Sequence, residues 1–245
     1  MGKKAKKTRM FYLVCFIPVV LAFIIKLNQA LSYRTSIEGI YIFTNLIITV
    51  YLQFLILILA LFFGTSVCSE EVENKTVTYL TTRPLPKAAI ILGKYAAYTI
   101  LTVIMTAVGV VVSFFILNVD RILNFSLYKI LLRDMIVLSV GLICYGAFFT
   151  FFGTFMKKSI LFGLVFAFGW ENVIQYFPGS TQRFSILHYL KSLLPIPQTG
   201  RFSFLMFRLE PSPPAFAILM LFLIAAVFLG LACLLFYLKE YIFED

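Results

Sequence analysis

The sequence predicts an all-α, polytopic membrane protein with six transmembrane helices, and three observations predict it. Of its 245 residues, 61% are hydrophobic and only 13% charged, against roughly 45–50% apolar and 25% charged in an ordinary soluble domain. A water-soluble fold cannot hide that much apolar surface. The apolar residues also come in blocks, several of them longer than the roughly 18 residues that read as a bilayer crossing. Finally, the basic residues lie between those blocks. The formal net charge of +10 therefore reflects membrane topology rather than a folded basic face, and no nucleic-acid partner is expected.

The candidate spans are 10–31, 39–66, 91–117, 131–155, 159–177 and 215–238, within one transmembrane domain over 1–245. Before the first lies a lysine-rich tail, 1–9, that orients the chain and touches anionic headgroups. The first block is too long for a cleavable signal peptide, and no Ala-x-Ala type site ends it. After the second block, polarity changes abruptly at Thr65, Ser66 and Ser69 and stays high to Lys94. Little more than Met156, Lys157 and Lys158 joins the fourth and fifth spans, which predicts a tight hairpin.

The fifth span breaks at Phe177-Pro178-Gly179, and prolines divide the outer segment 178–214 into short pieces. Within it, Ile186, Leu187, Leu190, Leu193 and Leu194 recur at helical spacing opposite Lys191 and Ser192. That pattern predicts an amphipathic helix lying in or dipping into the outer interface, or covering the tops of its neighbours. No internal repeat is evident.

Orientation follows from lysine and arginine near the span ends. Lys3, Lys4, Lys6, Lys7 and Arg9 precede the first span; Lys75, Arg83, Lys87 and Lys94 follow the second; Lys157, Lys158 and Lys239 complete that side. With the amino terminus inside, about 12 basic residues fall on about 47 cytoplasmic residues and about 9 on about 69 outside, a twofold difference in density. Both termini are expected in the cytoplasm.

Catalytic signatures are absent. Cys15, Cys68, Cys144 and Cys233 fall inside spans or at the cytoplasmic edge, where an external disulfide has no place. The single histidine, His188, excludes HExxH zinc sites within the chain and reads as an interfacial residue. Glu70-Glu71 invites comparison with intramembrane prenyl-protein proteases, but the histidines those enzymes need are missing. Gly93-Lys94 is followed by Tyr95 and preceded by Ala88 where a phosphate loop needs its first glycine, so the chain cannot hydrolyse nucleotide itself. No cofactor or metal is expected in it.

Between the second and third spans, Ser69 is placed to cap a helix, with Glu70, Glu71 and Glu73 in its first turn. Val72, Thr76, Tyr79 and Leu80 follow at three-to-four spacing, and Arg83-Pro84 ends the helix. The physical expectation is a short amphipathic helix at about 69–83, parallel to the membrane, and such a helix can be no more than a solvated connection.

The pattern Glu-Glu-x-Glu-x-x-Thr, then Tyr-Leu-x-x-Arg-Pro-x-x-Lys, then Leu-Gly-Lys before a new span resembles the signature of type-2 ATP-binding-cassette exporter permeases. The resemblance implies that 67–90 carries the coupling helix that docks into a groove on the ATPase. Glu70, Glu71, Glu73, Thr76, Leu80, Arg83, Pro84 and Lys87 fall on the coupling motif, with Gly93 and Lys94 at its exit. Lys75 departs from the family, where many members have glycine, and the amino-terminal tail is too short for the long interfacial helix many members carry.

The resemblance further implies ABC ATPase subunits that bind the ATP and Mg, a second permease subunit, identical or related, and a path lined by the second and fifth spans. It places the chain in the bacterial or archaeal cytoplasmic membrane, with lipids as neighbours; the 28 phenylalanines and few intramembrane charges suit an amphipathic or lipid-like substrate. Polar residues within spans tend to face partners or a pathway, which singles out Asn45, Gln53, Glu171 and Asn172. Glu171 has two readings, as an outer-gate or headgroup contact or as half of a local ion pair with Arg183. Trp170 reads as an interfacial anchor. Three rivals stand beside a permease: a secondary transporter, a membrane enzyme, and a non-transporting sensor or assembly factor that borrows an ATPase.

Overall fold

The computed structural model describes residues 2–31, 39–73, 87–121, 124–156, 159–174, 180–194 and 212–238, with side chains except at 2–15, 30, 68–73, 87, 121, 172 and 180. Every regular element among them is helical. Helix α1 is Gly2–Leu31; the second stretch is α2 (Gly39–Leu46), a π-helical run Ile47–Leu55, and α3 (Ile56–Glu73). Then come α4 (Lys87–Leu117), α5 (Phe125–Phe155), and a fifth stretch made of α6 (Ser159–Val165), a π-helical run Phe166–Trp170 and α7 (Glu171–Val173). Helices α8 (Ile186–Leu193) and α9 (Pro214–Leu238) follow.

Four stretches are long and apolar enough to cross a membrane: Gly39–Val67, Ala88–Leu117, Phe125–Phe155 and Pro214–Leu238. They coincide with the second, third, fourth and sixth predicted spans. The first and fifth are represented by shorter apolar helices, Phe16–Gln29 and Ser159–Trp170. The predicted breaks at 157–158 and 177–179, and the proline-rich run 195–211, lie outside the described residues.

Two expectations change. The basic tail is helical from Gly2 and continuous with α1, which passes through Pro18 without ending; a proline inside a membrane helix is tolerated where neighbours re-satisfy the backbone. The start expected at Ser69 lies inside α3, which runs unbroken from Ile56 to Glu73; the rest of that expected helix, 74–83, lies outside the described residues. Thr65 and Ser66 do not interrupt it because their hydroxyls donate back to the Leu61 and Phe63 carbonyls, at 2.6 and 2.9 Å.

The core lies where the second stretch packs on α5, around Tyr51, Leu52, Ile56, Leu59, Tyr145 and Phe149, all fully buried. Helices α3 and α5 meet backbone to backbone: a Cβ added at Gly64 would stand 2.8 Å from Phe149 Cβ, and one at Gly153 would stand 2.9 Å from the Thr65 carbonyl oxygen. Small residues permit such approach where lipid supplies no hydrophobic drive between helices. On the other flank, the Phe148 ring sits 4.4 Å from Phe166 and 4.8 Å from Phe228, joining α5 to the fifth stretch and α9. Exposed side chains such as Phe23, Ile104, Ile136 and Phe222 form the outer apolar surface, as expected of helices solvated by acyl chains.

Candidate functional site

The fifth stretch changes winding midway. Over Phe166–Trp170 the backbone is π-helical, and the Glu171 N–H donates to the Phe166 carbonyl five residues back. The second stretch does the same over Ile47–Leu55, ending with Ile56 N–H on the Tyr51 carbonyl. The two runs touch through Phe54 and Phe168, whose ring centroids are 6.0 Å apart. Such winding is rare and concentrates at functional sites.

Glu171 follows directly and is completely buried. Its carboxylate accepts from the Ser185 hydroxyl, from Ile186 N–H at 3.2 Å and from Leu187 N–H at 3.4 Å. Three donors converge on two oxygens at the positive end of α8, the arrangement a carboxylate satisfies best. The Tyr145 phenol of α5 adjoins the same carboxylate. Glu171 is thus a cap supplied to α8 from another helix; Arg183, its partner in one of the two sequence readings, is exposed.

Helix α8 is inserted into this end of the bundle rather than laid on its surface. Ile186 through Leu190 are all buried, and Leu190 packs over Gly141 of α5, where a Cβ would stand 3.1 Å from it. His188, expected at an interface, is 1% exposed, with Nε2 3.1 Å from Ser212 Oγ. Ser192 donates to the His188 carbonyl and accepts from Ser212 N–H. One end of α8 is thereby tied to the fifth stretch and the other to the start of α9. Burial also draws the Lys191 ammonium down to about 8, with the Glu171 carboxylate acting the opposite way.

That shift has a signed consequence. A lysine held below its ordinary 10.5 costs stability while protonated, and the cost disappears as the pH rises past the unfolded value. Lys191→Met should therefore melt above the parent at pH 7, with the gap narrowing from pH 8 toward 10.5. Thermal midpoints in detergent at pH 7 and pH 10 check it; a gap independent of pH rules the assignment out.

Residues 2–170, more than half of the chain, match the family described as ABC-2 family transporter protein. The chain belongs to this family. The ABC-2 assignment makes it a membrane permease subunit of an ABC transporter. No curated protein matches the chain significantly.

Of the residues expected to carry the coupling role, Glu70, Glu71 and Glu73 continue α3, with side chains outside the described residues, as is that of Lys87; Thr76, Leu80, Arg83 and Pro84 lie wholly outside them. Gly93 and Lys94, expected at the exit of the coupling motif, sit inside α4, which already starts at Lys87. Asn45 is half-buried and donates to its own helix at the Tyr41 carbonyl, 3.1 Å away. Gln53 is half-buried in the π-helical run beside Phe54. Asn172 is in α7 with its side chain undescribed, and Trp170 is exposed, as an anchor should be.

Sequence reasoning missed Asp134. It is completely buried on α5, its oxygens take no hydrogen bond among the described residues, and Arg133 Nε is 3.8 Å away. The signal was available, since 133 and 134 are charges inside the predicted span 131–155. Among the described residues no group of side chains could hold a metal ion.

Proposed function

We propose that this ABC-2 chain is one half of an ATP-driven exporter of an amphipathic or lipid-like substrate. It crosses a bacterial or archaeal cytoplasmic membrane six times with both ends inside, pairs with a second permease subunit, identical or related, and is driven by separate ATPase subunits that hold the ATP and Mg. The observation that carries this reading is the family match, which spans the whole motif segment 70–94.

In this scheme ATP binding closes the ATPase dimer and displaces the coupling segment. Because α3 is one unbroken helix from Ile56 to Glu73, a push at Glu70–Glu73 travels along it to the π-helical run at Ile47–Leu55. The Phe54–Phe168 contact hands that movement to the fifth stretch, and Glu171 hands it to α8. Helix α8 then acts as the outer cover of the path, moved by the same residues that hold it.

Glu71→Ala and Arg83→Ala test the coupling role. Each should reduce both co-purification of the ATPase and its stimulation by the permease, several-fold for the double variant. Unchanged assembly and unchanged ATPase rate together would refute docking through this segment. Substrate flux in proteoliposomes carrying the full complex separates an exporter from a membrane subunit that merely borrows the ATPase.

A further inference from the structure

One face of α4 carries a line of hydroxyls: Tyr95, Thr99, Thr102, Thr106 and Ser113 recur at three-, four- and seven-residue steps, so they stack on one side of the helix. All but Thr99 are buried. Most are satisfied. Tyr95 donates to the Ile143 carbonyl at 2.7 Å, Thr102 to the Thr99 carbonyl at 2.9 Å, and Ser113 pairs with the Tyr51 phenol at 2.9 Å.

Thr106 is the exception. The other buried threonines, Thr44, Thr65, Thr102, Thr150 and Thr154, each return their hydroxyl to a carbonyl of the preceding turn. Thr106 Oγ1 has no hydrogen-bond partner among the described residues although it is buried, and it borders a cavity of about 10 Å³ between α4 and α5. Ser139 forms part of the opposite wall. Its hydroxyl donates to the Met135 carbonyl at 2.7 Å and keeps its lone pairs for a further donor. A second cavity of about 10 Å³ lies alongside, bordered by Thr99 and Thr102, with Leu142 common to both.

We propose that the cavity between α4 and α5 is a water site, in which one ordered water accepts from Thr106 Oγ1 and donates to Ser139 Oγ. Its volume matches one water, and two polar partners are the minimum such a site needs. A buried hydroxyl that forgoes the local carbonyl calls for a partner of this kind. The site also sets the two flanks of α5 apart. Against α3 it is locked by glycine contacts, whereas against α4 it meets a polar seam whose hydrogen bonds the bound water can re-form as the helices shift.

The sign of one substitution tests this. Thr106→Val preserves shape and puts a methyl group in place of the hydroxyl. If the site is wet, the water loses a partner and the thermal midpoint of the full chain in lipid nanodiscs should fall by about 2–4 °C. A dry site predicts the reverse, because removing an unpaired buried hydroxyl is favourable, so an unchanged or raised midpoint overturns the proposal. A second measurement needs no variant. Under radiolytic hydroxyl-radical footprinting, Met135, which lines the cavity, should be oxidised several-fold faster than Met220 of α9. Equal rates at the two methionines also overturn it.

Discussion

Valine at Gly153 should abolish recovery of the folded chain, and alanine there should already lower its thermal midpoint. A Cβ at Gly153 would stand 2.9 Å from the Thr65 carbonyl oxygen and 3.1 Å from Thr65 Cα. Both obstacles are backbone, so no rotamer change relieves them. At Gly64 the added carbon meets Phe149 Cβ at 2.8 Å and the Gly146 carbonyl oxygen at 3.1 Å, so the two glycines press on the same crossing from opposite helices. Overpacking of this kind costs about 1–3 kcal/mol for one carbon, or roughly 2–12 °C in a chain of this size at about 2–4 °C per kcal/mol. The branched side chain of valine adds two carbons beyond that Cβ where none fits, and helix separation becomes the easier outcome. Gly230, where a Cβ meets nothing within 4 Å, is the control. Alanine there should be neutral or stabilise by up to about 1 kcal/mol through helix propensity. Midpoints and the monodisperse fraction in detergent measure all three. A Gly153→Ala chain as stable as Gly230→Ala would show that α3 and α5 do not meet by backbone contact.

The elements that hydropathy can see were legible. Gly39–Val67 and Pro214–Leu238 begin where the sequence placed them to within a residue, because bilayer length is a one-dimensional property of a block. Local polar signals were less reliable. Ser69 with three glutamates behind it has the look of a helix start, yet α3 runs through it, since hydroxyls bonded back to carbonyls at Thr65 and Ser66 cost the helix nothing. The π-helical winding of Ile47–Leu55 leaves no mark, as every residue in it suits an α-helix equally well. His188 was misjudged because periodicity reveals the apolar face of α8 but not that its polar face is also covered. Glu171 was visible as a charge in an apolar run, while its partners, 14 to 16 residues onward across a proline and glycine break, follow no helical spacing.

Glu171→Leu should detach α8 from the fifth stretch, with a loss both of stability and of coupling between ATP hydrolysis and transport. The substitution removes the acceptor of three buried donors, the Ser185 hydroxyl and the N–H groups of Ile186 and Leu187. A hydrogen bond to a charged group contributes about 1.5–3 kcal/mol, and donors left buried without a partner add about 1–3 kcal/mol each. Partial relaxation of so short a helix limits the total to about 3–4 kcal/mol, or roughly 6–16 °C. Glu171→Gln separates the parts of this effect. It keeps the volume and one acceptor oxygen but turns an amide NH2 toward donors, so an intermediate loss is expected, while Ser185→Ala should cost about 1 kcal/mol. The functional readout distinguishes a cap that only holds structure from one that transmits movement. If α8 is the cover of the path, Glu171→Gln at a temperature where it stays folded should leave ATP hydrolysis by the full complex intact while substrate flux in proteoliposomes falls several-fold. Loss of both in proportion would make Glu171 a purely structural cap. Retention of both would show that packing on α5 and the bonds to Ser212 hold α8 without Glu171, and that movement of the fifth stretch does not reach the outer end through this carboxylate.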